Sequence, residues 1–302
     1  MRNILSVEQF LDKKLIEQVF VTARGFAGVS PANYPKTLQH KMIATLFFEP
    51  STRTRLSFEA AAQRLGGQII STENAFASSS SVKGESLEDT IRTVNGYADA
   101  IVLRHPDVGA AARAAKVSST PIVNAGDGAG EHPSQALLDL YTIQQKKGRL
   151  DQLNIALVGD VLHSRTIRSL AQLISLYDVC LYFVAPQALQ LPASELEKFQ
   201  RQAKITQLTS YQDILPELDV LYINRIQQER FASAAEFEQL KNSFCLKMGN
   251  VCKMKADAVI MNPLPRINEI DPAVDADPRA IYFQQVANGV LVRMALLQSL
   301  FP

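Results

Sequence analysis

The stretch Ser51-Thr52-Arg53-Thr54-Arg55 gathers three hydroxyls and two guanidiniums into five positions, directly after an apolar run at 43–48 and at the start of a helical pattern over 54–65. A helix start leaves backbone N–H groups without intrahelical partners and points its dipole at whatever sits there, so it favours anions such as phosphate. An arginine adds a planar, bidentate grip. Taken locally, the same residues also read as an ordinary N-cap flanked by solvated arginines. Four further segments make the same kind of offer. Ser79 and Lys83 lie in SSSVKGE (79–85), where a lysine on a movable arm can close over a bound dianion as a point charge; alone, it is a solvated charge. Arg104 comes at the end of an apolar stretch, AIVLRH, the place where open α/β sheets build their ligand sites. His132 and Gln135 open the helical stretch PSQALLDLYTIQQKKG, and their imidazole and amide can both reach a carbonyl group, although a lone histidine there also serves as a cap or a packed residue. Arg165 follows the strand-like run NIALVGD, and Arg225, Gln227 and Arg230 follow DVLYIN; the last three, two arginines and a glutamine, suit a ligand with two carboxylates, with surface salt bridges as the plainer account.

Positioning these groups requires a regular scaffold, and the chain has its pattern. Apolar runs of strand length (43–48, 68–72, 100–105, 121–126) alternate with helical stretches (54–65, 86–97, 111–117, 133–148), the order expected of a parallel sheet covered by helices. The charged tract KKGRLDQL (146–153) places a domain junction nearby, with the long helix before it bridging the halves. A second alternating set follows: NIALVGD, SRTIRSLAQLISLY, CLYFVAP, ELEKFQRQA, ITQLTS, YQDILPEL, DVLYINRI, AEFEQLKNSF and AVIMNPLP. The last stretch, QVANGVLVRMALLQSLF, has apolar residues at helical spacing and can pack back on the first half. The fold class is therefore α/β with two domains, each a mostly parallel sheet flanked by helices. The stretch NAFASSSSVKGE (74–85) is rich in serine, lacks hydrophobic periodicity and reads as a mobile loop.

Length agrees, since 302 residues suit two α/β units of roughly 150 each. With 31 basic and 30 acidic residues the net charge is +1, too small for the broad field that nucleic-acid binding needs, so an anion site must be built locally. No apolar run approaches the ~18 residues of a membrane span, and the first twenty residues have helical spacing and acidic groups instead of a secretory core. Cys180, Cys245 and Cys252 form no metal or disulfide spacing, so thiols in a reducing cytoplasm are expected, with no metal and no cofactor. Gly126–Gly130 runs G-x-G-x-G, but Glu131 stands where a dinucleotide fingerprint would continue, and that reading is set aside.

Taken in order, STRTRLSFE, SSSSVKGESLEDT, RHP, HPSQALLDLYTI, GDVLHSRT, RIQQER, NPLPR and YFQQVANGVLVRMALL resemble the carbamoyltransferase family over about Ile43–Leu297, and its aspartate-specific branch in particular. The K-G-E and R-x-Q-x-E-R segments and the absence of an H-C-L-P signature separate it from the ornithine branch. The resemblance implies transfer of a carbamoyl group from carbamoyl phosphate to the amino group of L-aspartate, in pyrimidine biosynthesis. It implies domains at 1–133 (carbamoyl phosphate), joined by the C-terminal helix 286–302, and 134–285 (aspartate). Ser51, Thr52, Arg53 and Thr54 would hold the phosphate with Arg104. Thr54, Arg104 and His132 would meet the carbonyl oxygen, and Gln135 with the backbone carbonyls of Leu264 and Pro265 the carbamoyl nitrogen. Arg165, Arg225 and Gln227 would hold the aspartate carboxylates. Ser79 and Lys83 would enter from the neighbouring subunit of a homotrimer with shared active sites, Lys83 reaching aspartate too, and Glu49 and Arg230 would brace domain closure. Regulatory chains or a dihydroorotase stay open as further partners. One departure is Asn262, where the family usually has histidine before P-x-P; it puts the side-chain support of that turn in doubt.

Overall fold

A computed structural model describes residues 1–73, 84–226, 237–238, 240 and 243–301. Among them the chain divides into two compact units, one made of Met1–Leu138 with Ala287–Pro302, the other of Asp139–Val286. Ser79, Lys83, Gln227 and Arg230 lie outside the described residues, as does half of the AEFEQLKNSF stretch.

The first unit is built on a four-stranded parallel sheet in the order β2-β1-β3-β4, with β1 at Met42–Phe47, β2 at Gln68–Glu73, β3 at Ala100–His105 and β4 at Ile122–Asp127. Strands β1, β3 and β4 are buried along almost their whole length, as parallel strands covered on both faces must be, and read as near-continuous apolar runs. Edge strand β2 is half-exposed and polar. The covering helices are α1 (Lys13–Phe26), α2 (Thr52–Arg64), α3 (Leu87–Val94) and α4 (Ala110–Val117). Alanines of α4 pack with Ile91 of α3 and Leu103 of β3 in one apolar cluster. The N-terminal residues depart from the helical reading. Ile4 makes a parallel bridge to Val123, its N–H donating to Ile122 O (2.9 Å) and its carbonyl accepting from Asn124 N (2.7 Å), so the segment satisfies the free edge of β4. The C-terminal segment supplies Arg293, buried, whose guanidinium donates to Ser57 Oγ (2.8 Å) and lies 5.1 Å from the ring of Phe58.

The second unit carries a five-stranded parallel sheet, β7-β6-β5-β8-β9, with β5 at Leu153–Val158, β6 at Val179–Val184, β7 at Lys204–Leu208, β8 at Val220–Ile223 and β9 at Val259–Met261. The unit boundaries fall inside two helices, α5 (Pro133–Lys147) and, numbering in chain order past α6 (Arg165–Ile174), α7 (Ala193–Leu196) and α8 (Met248–Val251), α9 (Tyr282–Gln298). ELEKFQRQA, expected as one helix, is a short α7 followed by a 3-10 turn at Glu197–Phe199. Pro192 at its N-cap fixes where it starts, and only Phe199 and the small Ala203 of the stretch are buried, too little to hold a longer helix down. In the core, Leu221, Ile223 and Ile260 meet Leu246, Val251 and Tyr282.

Candidate functional site

In each sheet the side chains that could do chemistry follow the C-terminal ends of adjoining strands. Parallel strands point the same way, so these ends gather at one edge, where open α/β sheets place ligands.

In the first unit, β1 leads through Glu49 to Ser51, the N-cap of α2, whose side chain makes no capping bond. The first N–H groups of that helix have no intrahelical partners. Thr54 is buried while Thr52 and Arg53 are exposed at the helix start. The two arginines separate here. Arg55 turns to the sheet, donating to Glu59 (3.2 Å) and Glu73 (2.9 Å), and is structural. Arg104 stands at the end of the neighbouring strand, paired in register with Phe47, its Nε 3.4 Å from Glu49 Oε2 and its Nη1 donating to Ala125 O at 3.4 Å. A guanidinium beside a carboxylate and a backbone carbonyl is held in place without losing its charge. His105, next in sequence, behaves differently. It packs on Phe48 with ring centroids 4.9 Å apart, accepts from Asp107 N at Nδ1 (3.1 Å), and burial pushes its pKa below the usual histidine range. It is a neutral core residue.

Strand β4 runs into the glycine-rich turn, and the geometry explains those glycines. Gly128 has φ +50° and a Cβ there would lie 2.1 Å from Pro106 O, so only glycine allows the backbone approach. Asp127 clamps the turn, accepting from Gly109 N and Glu131 N at 2.8 Å each, and Glu131 in turn accepts from Val7 N at 2.7 Å. The turn ends at His132 and the start of α5, with Gln135 N donating to His132 O (3.0 Å); both side chains are buried. Ser51, Thr52, Arg53, Thr54, Arg104, His132 and Gln135 thus follow strands that are neighbours in the order β1-β3-β4. Together they offer an anion seat beside donors for a carbonyl oxygen.

In the second unit, three consecutive strands, β5, β8 and β9, end in Arg165, Arg225 and the turn 262–265. Arg165 is the first residue of α6, capped by Ser164, whose Oγ accepts from Ile167 N (3.3 Å). Gly159 has φ +124° and a Cβ there would lie 2.1 Å from Asn224 O, so β5 and β8 approach as closely as they do only because Gly159 has no side chain. Asn224 N donates to Val158 O (2.8 Å), and its Nδ2 donates to Ser164 Oγ (2.5 Å) and Thr166 Oγ1 (3.2 Å). One buried amide therefore fixes the residues next to both arginines, each of which is half-buried. Two guanidiniums so held suit a dicarboxylate.

The turn after β9 is braced from below. Asn262 Oδ1 accepts from Leu264 N (2.6 Å) and Asn262 Nδ2 donates to Glu269 Oε1 (2.9 Å). Asn262 N donates to Gln285 Oε1 (3.1 Å), Gln285 Nε2 to Asp139 Oδ1 (2.6 Å), and Tyr222 Oη to Asp139 Oδ2 (2.9 Å). Burial, with Asp139 beside it, raises the Tyr222 pKa well above its ordinary value, so the phenol stays a donor. Side-chain support of the turn, in doubt from sequence, is supplied by Asn262 itself. Asn224, Glu269, Gln285 and Asp139 were missed by sequence reasoning. For Asn224, Gln285 and Asp139 the one local signal is a polar residue within an apolar stretch; Glu269, in RINEIDP, has none. Among the described residues no group of three or more His, Cys, Asp or Glu could hold a metal ion, and no helix is long and apolar enough to cross a membrane.

Comparison with known proteins agrees with both halves of this description. Residues 2–145 match the carbamoyl-P binding domain of the aspartate/ornithine carbamoyltransferase family, and residues 151–300 match its Asp/Orn binding domain. The aspartate carbamoyltransferase catalytic subunit of Thermococcus onnurineus is 46% identical over 98% of this chain and 96% of its own length. A multifunctional protein of Dictyostelium discoideum, pyr1-3, is 44% identical over 99% of this chain, which spans only 13% of that protein's length. Among solved structures, the catalytic subunit of M. jannaschii aspartate transcarbamoylase has a TM-score of 0.91 at 46% identity, covering 99% of this chain and 98% of its own. The Trypanosoma cruzi aspartate transcarbamoylase in complex with N-(phosphonacetyl)-L-aspartic acid has a TM-score of 0.93 at 39% identity, covering 100% and 96%.

Proposed function

Since the chain belongs to the aspartate/ornithine carbamoyltransferase family, we propose that it transfers the carbamoyl group of carbamoyl phosphate to the amino group of L-aspartate, giving N-carbamoyl-L-aspartate and phosphate. The step serves pyrimidine biosynthesis. The observation that carries the choice of aspartate is the pair Arg165 and Arg225 at the ends of adjoining strands, tied together because the amide of Asn224, the residue before Arg225, donates to the hydroxyls of Ser164 and Thr166 on either side of Arg165. A dicarboxylate meets two guanidiniums there, whereas the cationic side chain of ornithine would be repelled. The relatives reported above, aspartate enzymes by name, support the same choice.

The chemistry needs an amine to attack a carbonyl carbon while phosphate leaves. Ser51, Thr52, Arg53 and Thr54 hold the phosphate at the helix start, where N–H donors and dipole favour its charge. Thr54, Arg104 and His132 donate to the carbonyl oxygen as negative charge builds on it, a stabilisation larger in the transition state than in the bound substrate. Gln135 and the carbonyls of Leu264 and Pro265 take the carbamoyl amino group. Arg165, Arg225 and Gln227 hold the two carboxylates. The attacking amine enters neutral, and the departing phosphate takes its proton once the tetrahedral intermediate collapses.

The enzyme works as a homotrimer in which Ser79 and Lys83 complete a neighbour's site, and Glu49 and Arg230 brace the closed form. Cys180, Cys245 and Cys252, free thiols in the structure, suit a cytoplasmic location. Incubating the purified chain with carbamoyl phosphate and either aspartate or ornithine, with product and phosphate both measured, tests the reading. Carbamoyl aspartate and phosphate should form in equal amounts and ornithine should remain unreacted; citrulline formation would overturn the assignment. The mass in solution checks the trimer.

A further inference from the structure

The turn Pro263-Leu264-Pro265 is unusual in what it can offer a ligand. Prolines have no N–H, so Leu264 carries the only backbone donor of the three residues, and Asn262 Oδ1 takes it at 2.6 Å. What remains on the backbone is acceptors. Such a turn repels phosphate and carboxylate and suits an amino group. Leu264 sits at φ +53°, a conformation leucine rarely adopts, so the turn needs support to persist.

That support is directional. Asn262 is 1% exposed and Glu269 3%. Glu269 uses both oxygens as acceptors, Oε1 for Asn262 Nδ2 (2.9 Å) and Oε2 for Ile267 N (2.9 Å) and Asn268 N (3.2 Å). The demands are complementary: residue 262 must accept on one side and donate on the other, and residue 269 must accept on both. We propose that Asn262 and Glu269 are positioning residues that form a buried donor–acceptor pair, holding the 263–265 turn so that its carbonyls meet the carbamoyl amino group. The proposal rests on the carbamoyl-transfer reading above.

The pair can be broken and rebuilt without changing its shape. Asn262→Asp sets two acceptors face to face. Glu269→Gln places an NH2 group opposite either Asn262 Nδ2 or the N–H groups of Ile267 and Asn268. The double variant N262D/E269Q restores every donor to an acceptor, because the introduced glutamine can donate to the introduced aspartate and still accept from the backbone. Asn262→Ser is the milder form, keeping an acceptor for Leu264 N but losing reach to Glu269. The readouts are kcat and the affinity for N-(phosphonacetyl)-L-aspartic acid, an amide that lacks the free carbamoyl NH2 the turn is proposed to hold. Each single variant should lower kcat, by about a hundredfold for a displacement on the scale of 1 Å. Affinity for the analogue should be unchanged, and the double variant should recover kcat. If a single variant proves unfolded by melting, the comparison of Asn262→Ser with the double variant decides. Unchanged kcat in folded single variants, analogue affinity falling in step with kcat, or a folded double variant as slow as the singles would each overturn the proposal. A wild-type chain that forms no carbamoyl aspartate would instead overturn the functional reading on which it rests.

Discussion

Gly159→Ala tests whether the arginine pair is set by backbone approach. The added Cβ would lie 2.1 Å from Asn224 O and 3.0 Å from Asn224 C, at a φ of +124° that L side chains rarely adopt. The conformation alone costs about 1–3 kcal/mol, and relieving the overlap adds a similar overpacking cost. Relief means moving Asn224 away from β5 by about 1 Å, a displacement that in a positioned site can cost on the order of 10²-fold in rate. The Asn224–Val158 bond (2.8 Å) and the Asn224–Ser164 bond (2.5 Å) would lengthen first, and Arg225 moves with them relative to Arg165. Initial rates at saturating carbamoyl phosphate, with aspartate varied, should show kcat/KM for aspartate reduced by about 10². Binding of inorganic phosphate, followed by its phosphorus resonance, should be unaltered, because the cradle at Ser51–Thr54 belongs to the other unit. A folded Gly159→Ala protein with unchanged kcat/KM for aspartate, or one that loses phosphate binding in parallel, would refute the reasoning.

Arg225→Ala should weaken aspartate use by about 1.5–3 kcal/mol, the worth of charge-assisted hydrogen bonds, and leave carbamoyl phosphate binding intact; equilibrium binding of carbamoyl phosphate to the variant checks the division. His132→Ala should lower kcat by about 10²–10³ and affect carbamoyl phosphate affinity far less, and steady-state kinetics that leave kcat untouched would remove it from the list of donors. Arg53→Ala and Lys83→Ala trimers should each be nearly inactive. Hybrids made by dissociating and reassociating the two should regain up to about a third of wild-type sites, since cyclic order creates one intact interface per mixed trimer; confirmed hybrids as inactive as their parents would exclude the shared site. Activity should survive exhaustive chelation, and loss restored by zinc would contradict a metal-free mechanism.

The sheet scaffold was legible because buried parallel strands write themselves as unbroken apolar runs: β1, β3 and β5 fall within a residue or two of where IATLFF, AIVLRH and NIALVGD suggest. Strand β9 is only three residues long, and reading its end as the start of a turn depended on Pro263. The first six residues looked helical because spacing cannot reveal that β4 has an open edge for Ile4 to pair with. At the site, Arg104 and His132 could be chosen from their position after apolar runs. Local pattern could not split Arg53 from Arg55, which only the family resemblance separated, because the partners of Arg55, Glu59 and Glu73, are brought to it by the fold. The same holds for Asn262, whose side chain finds Glu269 seven residues on, a spacing that matches no local motif.

The placement of Arg293 bears on how the chain is made. Asp139–Val286 is continuous in sequence and can be completed as soon as it emerges from the ribosome. The first unit starts earlier but ends later, because the buried contacts of Ser57 and Phe58 with Arg293 join residues 236 positions apart in the case of Ser57. At synthesis rates of about 5–20 residues per second, the segment carrying Arg293 follows Leu138 by roughly 10–30 s. Through that interval the nascent first unit exposes the apolar surface that residues 287–302 will cover, so the half begun first is the half completed last.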